Sequence, residues 1–198
     1  MPDSKKHISI VAIGGSIRPD NLTAKAMAIA VDEIKKHKDI TVHVFDPAKM
    51  KISLPGKEIN PDLELFQNIV SKATGVILAT PEYNGSYSSI IKLLIERLGY
   101  PSVLAGKPIG LIGVASGRIG AIKSLEHLSS VCIHNGAIVL PGLASVAEVH
   151  KVFDEKGRCL DDKLEQRIRS VARNLINYIR KHICPSMNLE EIIKEGKL

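Results

Sequence analysis

Three short runs of residues hold most of the chemical capability of this chain. The first is Pro81-Glu82-Tyr83-Asn84-Gly85, which suits a flat, electron-accepting ring. Tyr83 can stack on such a ring and Pro81 holds the entry. Asn84-Gly85 tolerates the left-handed geometry that turns backbone N–H groups toward ring oxygens and nitrogens. Glu82 is better read as contributing backbone than as a general base. The second run is Gly14-Gly15-Ser16-Ile17-Arg18-Pro19-Asp20-Asn21-Leu22-Thr23. It brings backbone N–H groups, hydroxyls, an amide and a guanidinium to the start of a helix, where the dipole favours an anion. A terminal phosphate fits there, with Arg18 gripping two of its oxygens through a planar fork. Ser16, Asn21 and Thr23 serve equally well as plain helix caps, and the residues alone leave both uses open. The third run, Ser116-Gly117-Arg118-Ile119-Gly120, again joins glycine flexibility to a hydroxyl and a positive charge. Taken alone it is also an ordinary surface arginine beside a helix start.

The elements that must position these runs follow from hydrophobic periodicity. Residues 7–13 form a β-branched strand that stops at Gly14-Gly15-Ser16, and a helix begins near Asn21 with Leu22, Ala26, Ile29, Ala30 and Ile34 on one face. Residues 40–45 give a second strand, followed by a loop through Asp46, Pro47, Pro55, Gly56 and Pro61. A helix over 62–71 leads to a third strand at 76–79, which runs straight into the turn at Pro81. Ile90, Ile91, Leu94, Ile95 and Leu98 then repeat at helical spacing. A fourth strand at 109–115 passes through the Ser116 run into a helix with Ile122, Leu125, Leu128 and Val131. A short fifth strand at 137–140 is stopped by Pro141-Gly142, and a last helix covers 161–182.

Strands alternating with helices argue for a parallel sheet covered on both faces. Right-handed crossovers place the loops after parallel strands on one edge, and ligands sit where strand order reverses. Under a 2-1-3-4-5 order the loops after strands 1, 3 and 4 converge there, and those are the three chemical runs. Gly14 and Gly15 satisfy neither the P-loop pattern nor the dinucleotide fingerprint. Asp46, at the end of strand 2, is therefore read as a loop former rather than as a ribose ligand.

Composition narrows the classes further. The 198 residues and 44% hydrophobic content suit one domain, with a core over 7–182 and a tail over 183–198. Leu189, Ile192 and Ile193 in that tail fit an extra amphipathic turn or a loosely held end. The first residues lack an apolar stretch long enough for a signal peptide, and the apolar runs are of strand length, so the expected location is the cytoplasm with no membrane partner. Cys132, Cys159 and Cys184 are odd in number without C-x-x-C spacing, which indicates neither a disulfide framework nor a metal site. The net charge of +6 fits a phosphate-bearing partner or serves solubility. Nucleic acid is disfavoured, because there is no dense basic block, no Trp and only 4% aromatic residues. His127, His134 and His150 lie outside the three runs and read as structural or exposed.

Together these residues resemble the NADPH-dependent FMN reductase family of flavodoxin-like proteins, which includes flavin, quinone, azo-dye and chromate reductases. The resemblance rests on Gly15 to Thr23 after strand 1, Thr80 to Ser86 after strand 3 and Ser116-Gly117-Arg118 after strand 4, with Val152-Phe153-Asp154 and Gly157 as a weaker mark. It implies a three-layer α/β/α fold around a five-stranded parallel sheet of order 2-1-3-4-5. It further implies that Ser16, Arg18, Asn21, Leu22 and Thr23 hold the FMN phosphate. By the same resemblance Pro81, Glu82, Tyr83, Asn84 and Gly85 border the isoalloxazine ring, and Ser116, Gly117 and Arg118 line its other side. The implied reaction passes electrons from NADPH or NADH through FMN to a small acceptor such as free flavin, a quinone, an azo compound or a metal oxyanion. No catalytic side chain is required. A homodimer or homotetramer with the flavin near a subunit boundary is also implied.

Two departures stand out: Ser88-Ser89 where the family usually has Pro-Gly, and Arg118-Ile119-Gly120-Ala121 in place of a richer glycine run. The second bears on how NADPH docks over the ring. A flavin-binding electron carrier or redox sensor reduced by a protein partner is the alternative. Carriers resembling flavodoxin tend to be acidic with aromatics flanking the flavin, whereas this chain is basic with one obvious ring, Tyr83. A flavodoxin-like scaffold without cofactor ranks last.

Overall fold

The computed structural model describes residues 7–185. Leu189, Ile192 and Ile193 of the tail lie outside the described residues. The chain runs through β1 (Ile8–Gly14), α1 (Leu22–Lys35), β2 (Ile40–Phe45), α2 (Pro61–Lys72), β3 (Gly75–Tyr83) and β4 (Ser86–Tyr87). It continues through α3 (Ser89–Glu96), β5 (Pro108–Val114), α4 (Ile122–His134), β6 (Ile138–Val139), β7 (Ala144–Val146) and α5 (Asp162–Tyr178). Among the described residues no helix is long and apolar enough to cross a membrane.

Strand order is β2-β1-β3-β5-β6, with β7 also on β5, so the expected 2-1-3-4-5 path is realised with all five positions parallel. Ile8, Ile10 and Ala12 of β1 join the core under α1 and α5, while Val11 and Ile13 join the core under α2, α3 and α4. Both faces are covered, which is why the central strands read as unbroken apolar runs.

The register sets the site's floor. Gly14 pairs with Ala79, and Pro81 pairs with Val114, so the carboxyl ends of β1, β3 and β5 finish side by side. One boundary and one extra strand differ from the sequence expectation. The third strand does not end at Ala79. It continues to Tyr83 and folds back on β4 through Asn84-Gly85, at φ of 50° and 70°. Positive φ at both central residues makes a two-residue hairpin whose twist matches its strands. Pro81 is tolerated inside β3 because the last β1 pair is Gly14 with Ala79, which leaves an open side where the missing N–H costs nothing. The fifth strand, β6, does end before Pro141-Gly142 as expected, but an unexpected strand, β7, follows on the same edge of β5. The N–H of Leu140 still donates to Ile109 O at 2.9 Å, the chain bulges out with Gly142 at φ +86°, and β7 resumes pairing at Ile112. Proline and positive-φ glycine interrupt the ladder without closing it. The last helix is α-helical to Tyr178 and continues as a π turn over Ile179–Ile183.

An ionic cluster locks α1 to α5. Arg169 reaches Asp32 at 2.6 Å, Glu33 at 3.2 Å and Glu165 at 2.8 Å, and Arg173 meets Glu33 at 3.3 Å. Burial alone would raise the Glu33 pKa, but hydrogen bonds and charge from Lys36 and Arg173 outweigh it and hold the carboxyl below its ordinary value. A depressed folded-state pKa stabilises the fold above the unfolded value of 4.5 and stops doing so as pH falls through the folded value. Glu33→Gln is therefore expected to lose about 1–2 kcal/mol at neutral pH, between an exposed and a fully buried pair. Urea unfolding should show that gap closing below pH 4.5.

Candidate active site

The first loop is folded by its own polar groups. Ser16 Oγ accepts from the Arg18 N–H at 3.3 Å, and Asn21 Nδ2 donates to Ser16 O at 3.4 Å. Asn21 Oδ1 accepts the Ala24 N–H at 2.6 Å, so Asn21 does cap α1. Ser16 does not; its hydroxyl turns the loop instead. Asp20 sits at φ 49°, a left-handed conformation that non-glycine residues seldom adopt and that sharpens the bend over the helix start. Thr23 is buried in the first turn of α1.

Ser88 ties this loop to the hairpin. Its hydroxyl donates to Gly15 O at 2.6 Å, and its Oγ accepts the Ile91 N–H at 3.3 Å as the N-cap of α3. Its own N–H donates to Thr80 Oγ1 at 3.1 Å, and that buried hydroxyl donates to Pro81 O at 2.9 Å. The departure to Ser88 is thus a cross-link between the strand 1 and strand 3 loops.

The third loop is fixed by partners that sequence reading missed. Gly120, at φ +80°, donates to Gly117 O at 3.3 Å, and Glu148 N–H donates to the same carbonyl at 3.1 Å. The Ala121 N–H donates to Ser145 Oγ at 2.9 Å. No side chain at the cap position serves α4; instead Glu82 Oε2 accepts the Ser124 N–H at 2.9 Å. A carboxylate at a helix N-terminus is stabilising, so Glu82 adds more than backbone: it joins the hairpin to α4. His127 is an exposed residue whose Nδ1 lies 3.1 Å from Ser86 Oγ, beside the hairpin rather than remote from it. His134 and His150 are absent from the cavity wall described next.

The three loops enclose a cavity of about 200 Å³. Ser16, Arg18, Asn21, Leu22 and Thr23 line it from the first loop, Pro81, Glu82 and Tyr83 from β3, and Ser116 from the third loop. Pro19, Asp20, Val114, Ala115 and Val149 complete the wall. Val149 was not foreseen, because it depends on the unread strand β7. Asn84, Gly85, Gly117 and Arg118 stand outside the wall, exposed at the turns. The Arg18 guanidinium carbon lies 4.7 Å from the centre of the Tyr83 ring, a cation–π contact that bridges two loops.

The sequence profile described as NADPH-dependent FMN reductase matches residues 8–151. The chain belongs to that family. This reductase is 24% identical over 183 residues to an NAD(P)H-dependent FMN reductase of Pseudomonas aeruginosa, covering 88% of this chain and 96% of that one. It is 25% identical over 180 residues to an NADPH:quinone oxidoreductase of Arabidopsis thaliana, covering 86% and 91%. The solved structure of the flavoenzyme NAD(P)H:(acceptor) oxidoreductase FerB from Paracoccus denitrificans superposes on it with a TM-score of 0.72. That match has 22% identity and covers 88% of this chain and 98% of that one. The flavodoxin-like α/β fold expected from the loops is therefore the fold this reductase has.

Proposed function

We propose that this reductase binds FMN across the three loops and uses NAD(P)H to reduce a small acceptor such as a quinone, a free flavin, an azo compound or a metal oxyanion. The observation that carries the reading is the single cavity into which the first loop and the hairpin both open, with Arg18 laid over Tyr83. The donor set suits a phosphomonoester: a planar guanidinium, the hydroxyls of Ser16 and Thr23, and the amino end of a 14-residue helix. The aromatic face of Tyr83 suits a flat ring beside it. When bound, FMN would supply the redox chemistry that carries electrons from NAD(P)H to the acceptor.

In this reading the protein binds, orients and polarises. The first loop holds the phosphate through Ser16, Arg18, Asn21, Leu22 and Thr23. Pro81, Glu82 and Tyr83 border the ring and Ser116 faces it from the third loop, while Asn84, Gly85, Gly117 and Arg118 approach it from the exposed turns outside the cavity wall, with backbone N–H groups and positive charge favouring added electron density on the ring. Ser88 and Glu82 keep the three loops in register. Assembly as a homodimer or homotetramer in the cytoplasm belongs to the same proposal. It is supported by Ile119, 82% exposed, and Ile122, 53% exposed, beside the third loop, where they offer an apolar surface to a second copy.

Flavin fluorescence quenching tests the phosphate assignment. FMN should bind about 100-fold more tightly than riboflavin, which has the ring and the sugar chain but no phosphate. Equal affinities would remove the first loop from the site.

A further inference from the structure

The ladder between β1 and β3 ends at the pair Gly14 with Ala79, where β1 gives way to the first loop and β3 runs on into the hairpin. Each side is then held by bonds of its own. The first loop has those of Ser16, Arg18 and Asn21. The hairpin has the β3–β4 pairs, the Glu82 contact with the Ser124 N–H and the Ser86 contact with His127. Outside the strand ladder, one hydrogen bond among the described residues crosses between the two sides, from the Ser88 hydroxyl to Gly15 O at 2.6 Å. Gly15 is buried and Ser88 is 2% exposed, so water has no access to replace that bond. The Arg18 contact with Tyr83 also crosses, but it uses an exposed guanidinium that water and a phosphate compete for.

From Ser88 the chain of bonds continues into the hairpin. Its N–H donates to Thr80 Oγ1 at 3.1 Å, and the Thr80 hydroxyl donates to Pro81 O at 2.9 Å. Gly15 O, next to Ser16, is thus joined without a break to Pro81, and linked bonds of this kind stiffen one another in a buried setting. A proline at position 88, where the family usually has one, offers neither the N–H nor the hydroxyl. FMN engages both sides at once, its phosphate on the first loop and its ring against the hairpin. Two contacts on one ligand add fully only when their subsites already stand at the ligand's own spacing; a loose spacing loses part of the affinity to ordering them. We propose that Ser88 is a positioning residue that fixes the spacing of the phosphate loop and the ring hairpin, and so sets how much the phosphate adds to flavin affinity. Ser88 is itself absent from the cavity wall. The inference rests on the phosphate assignment of the preceding subsection.

The test titrates flavin-free full-length protein with FMN and with riboflavin, in the parent and in Ser88→Gly. Glycine is a tolerated N-cap, so this variant removes the hydroxyl and keeps the start of α3. FMN affinity should fall about tenfold and riboflavin affinity by less than about twofold, because riboflavin has no phosphate for the first loop to hold. Ser88→Ala carries the same expectation if the glycine variant folds poorly. Glu33→Gln, which lowers stability at the other end of α1, is the control and should leave both affinities unchanged. Equal losses for FMN and riboflavin would make Ser88 a plain support of the hairpin and overturn the inference. An FMN affinity that does not change would overturn it as well, while the phosphate assignment stands. A parent protein that binds the two flavins equally defeats the phosphate assignment itself.

Discussion

Arg18→Ala lowers FMN affinity by about one to two orders of magnitude, because it removes a charge-assisted, two-pronged contact to phosphate. The fold is expected to remain. In the structure Arg18 is exposed and its recorded side-chain partner is the Tyr83 ring, a contact contributing about 0.5–1 kcal/mol at a site of this kind. Flavin fluorescence titration gives the affinity and thermal unfolding gives the fold. Arg18→Lys should recover only part of the loss, since an ammonium keeps the charge without the planar fork. An Arg18→Ala variant that binds FMN as tightly as the parent would show that the phosphate lies elsewhere.

Gly15→Ala has the largest expected effect on stability. A Cβ at residue 15 would stand 2.9 Å from the carbonyl oxygen of Ala79 and 3.0 Å from Ser88 Oγ, and would also overlap Ile91 Cγ1. Ile91 can yield in part, but the Ala79 carbonyl belongs to the central strand β3 and cannot move without it. Overpacking of this kind costs about 2–3 kcal/mol. It also pushes against the Ser88 hydrogen bond to Gly15 O, so FMN binding should fall in the protein that remains folded. Gly117→Ala is the matched control: nothing lies within 4 Å of its Cβ position. Urea unfolding should place the control close to the parent and Gly15→Ala far below it; equal stability of the two variants would mean that the Gly15 contact has slack the structure does not contain.

The three loops were legible because their residue types have few other uses. Asn84-Gly85 reads as left-handed turn chemistry, and both residues have positive φ. The Ser16 to Thr23 run reads as a helix start with spare polar groups, and Asn21 does cap α1. The parallel sheet was legible from alternation, and its strand order from the family resemblance that the three loops carry. What stayed hidden depends on contacts between distant segments. Pro81 signals a turn in sequence, yet it sits in β3 because its neighbour strand has already ended. Pro141-Gly142 reads as a stop, so β7 was missed, and with it Ser145 and Val149. Glu82 reads as a loop acid until Ser124 is found 2.9 Å away, 42 residues along the chain. Ser88 looks like a simple loss of Pro-Gly until its hydroxyl is seen on Gly15.

The central claim is that FMN held by these loops is reduced by NAD(P)H. It is tested most directly by adding NADPH without oxygen to the FMN-loaded protein and following the flavin's visible absorption. Rapid bleaching, reversed by a quinone, is the predicted result. A bound flavin that stays oxidised in excess NADPH and NADH would contradict the reductase account.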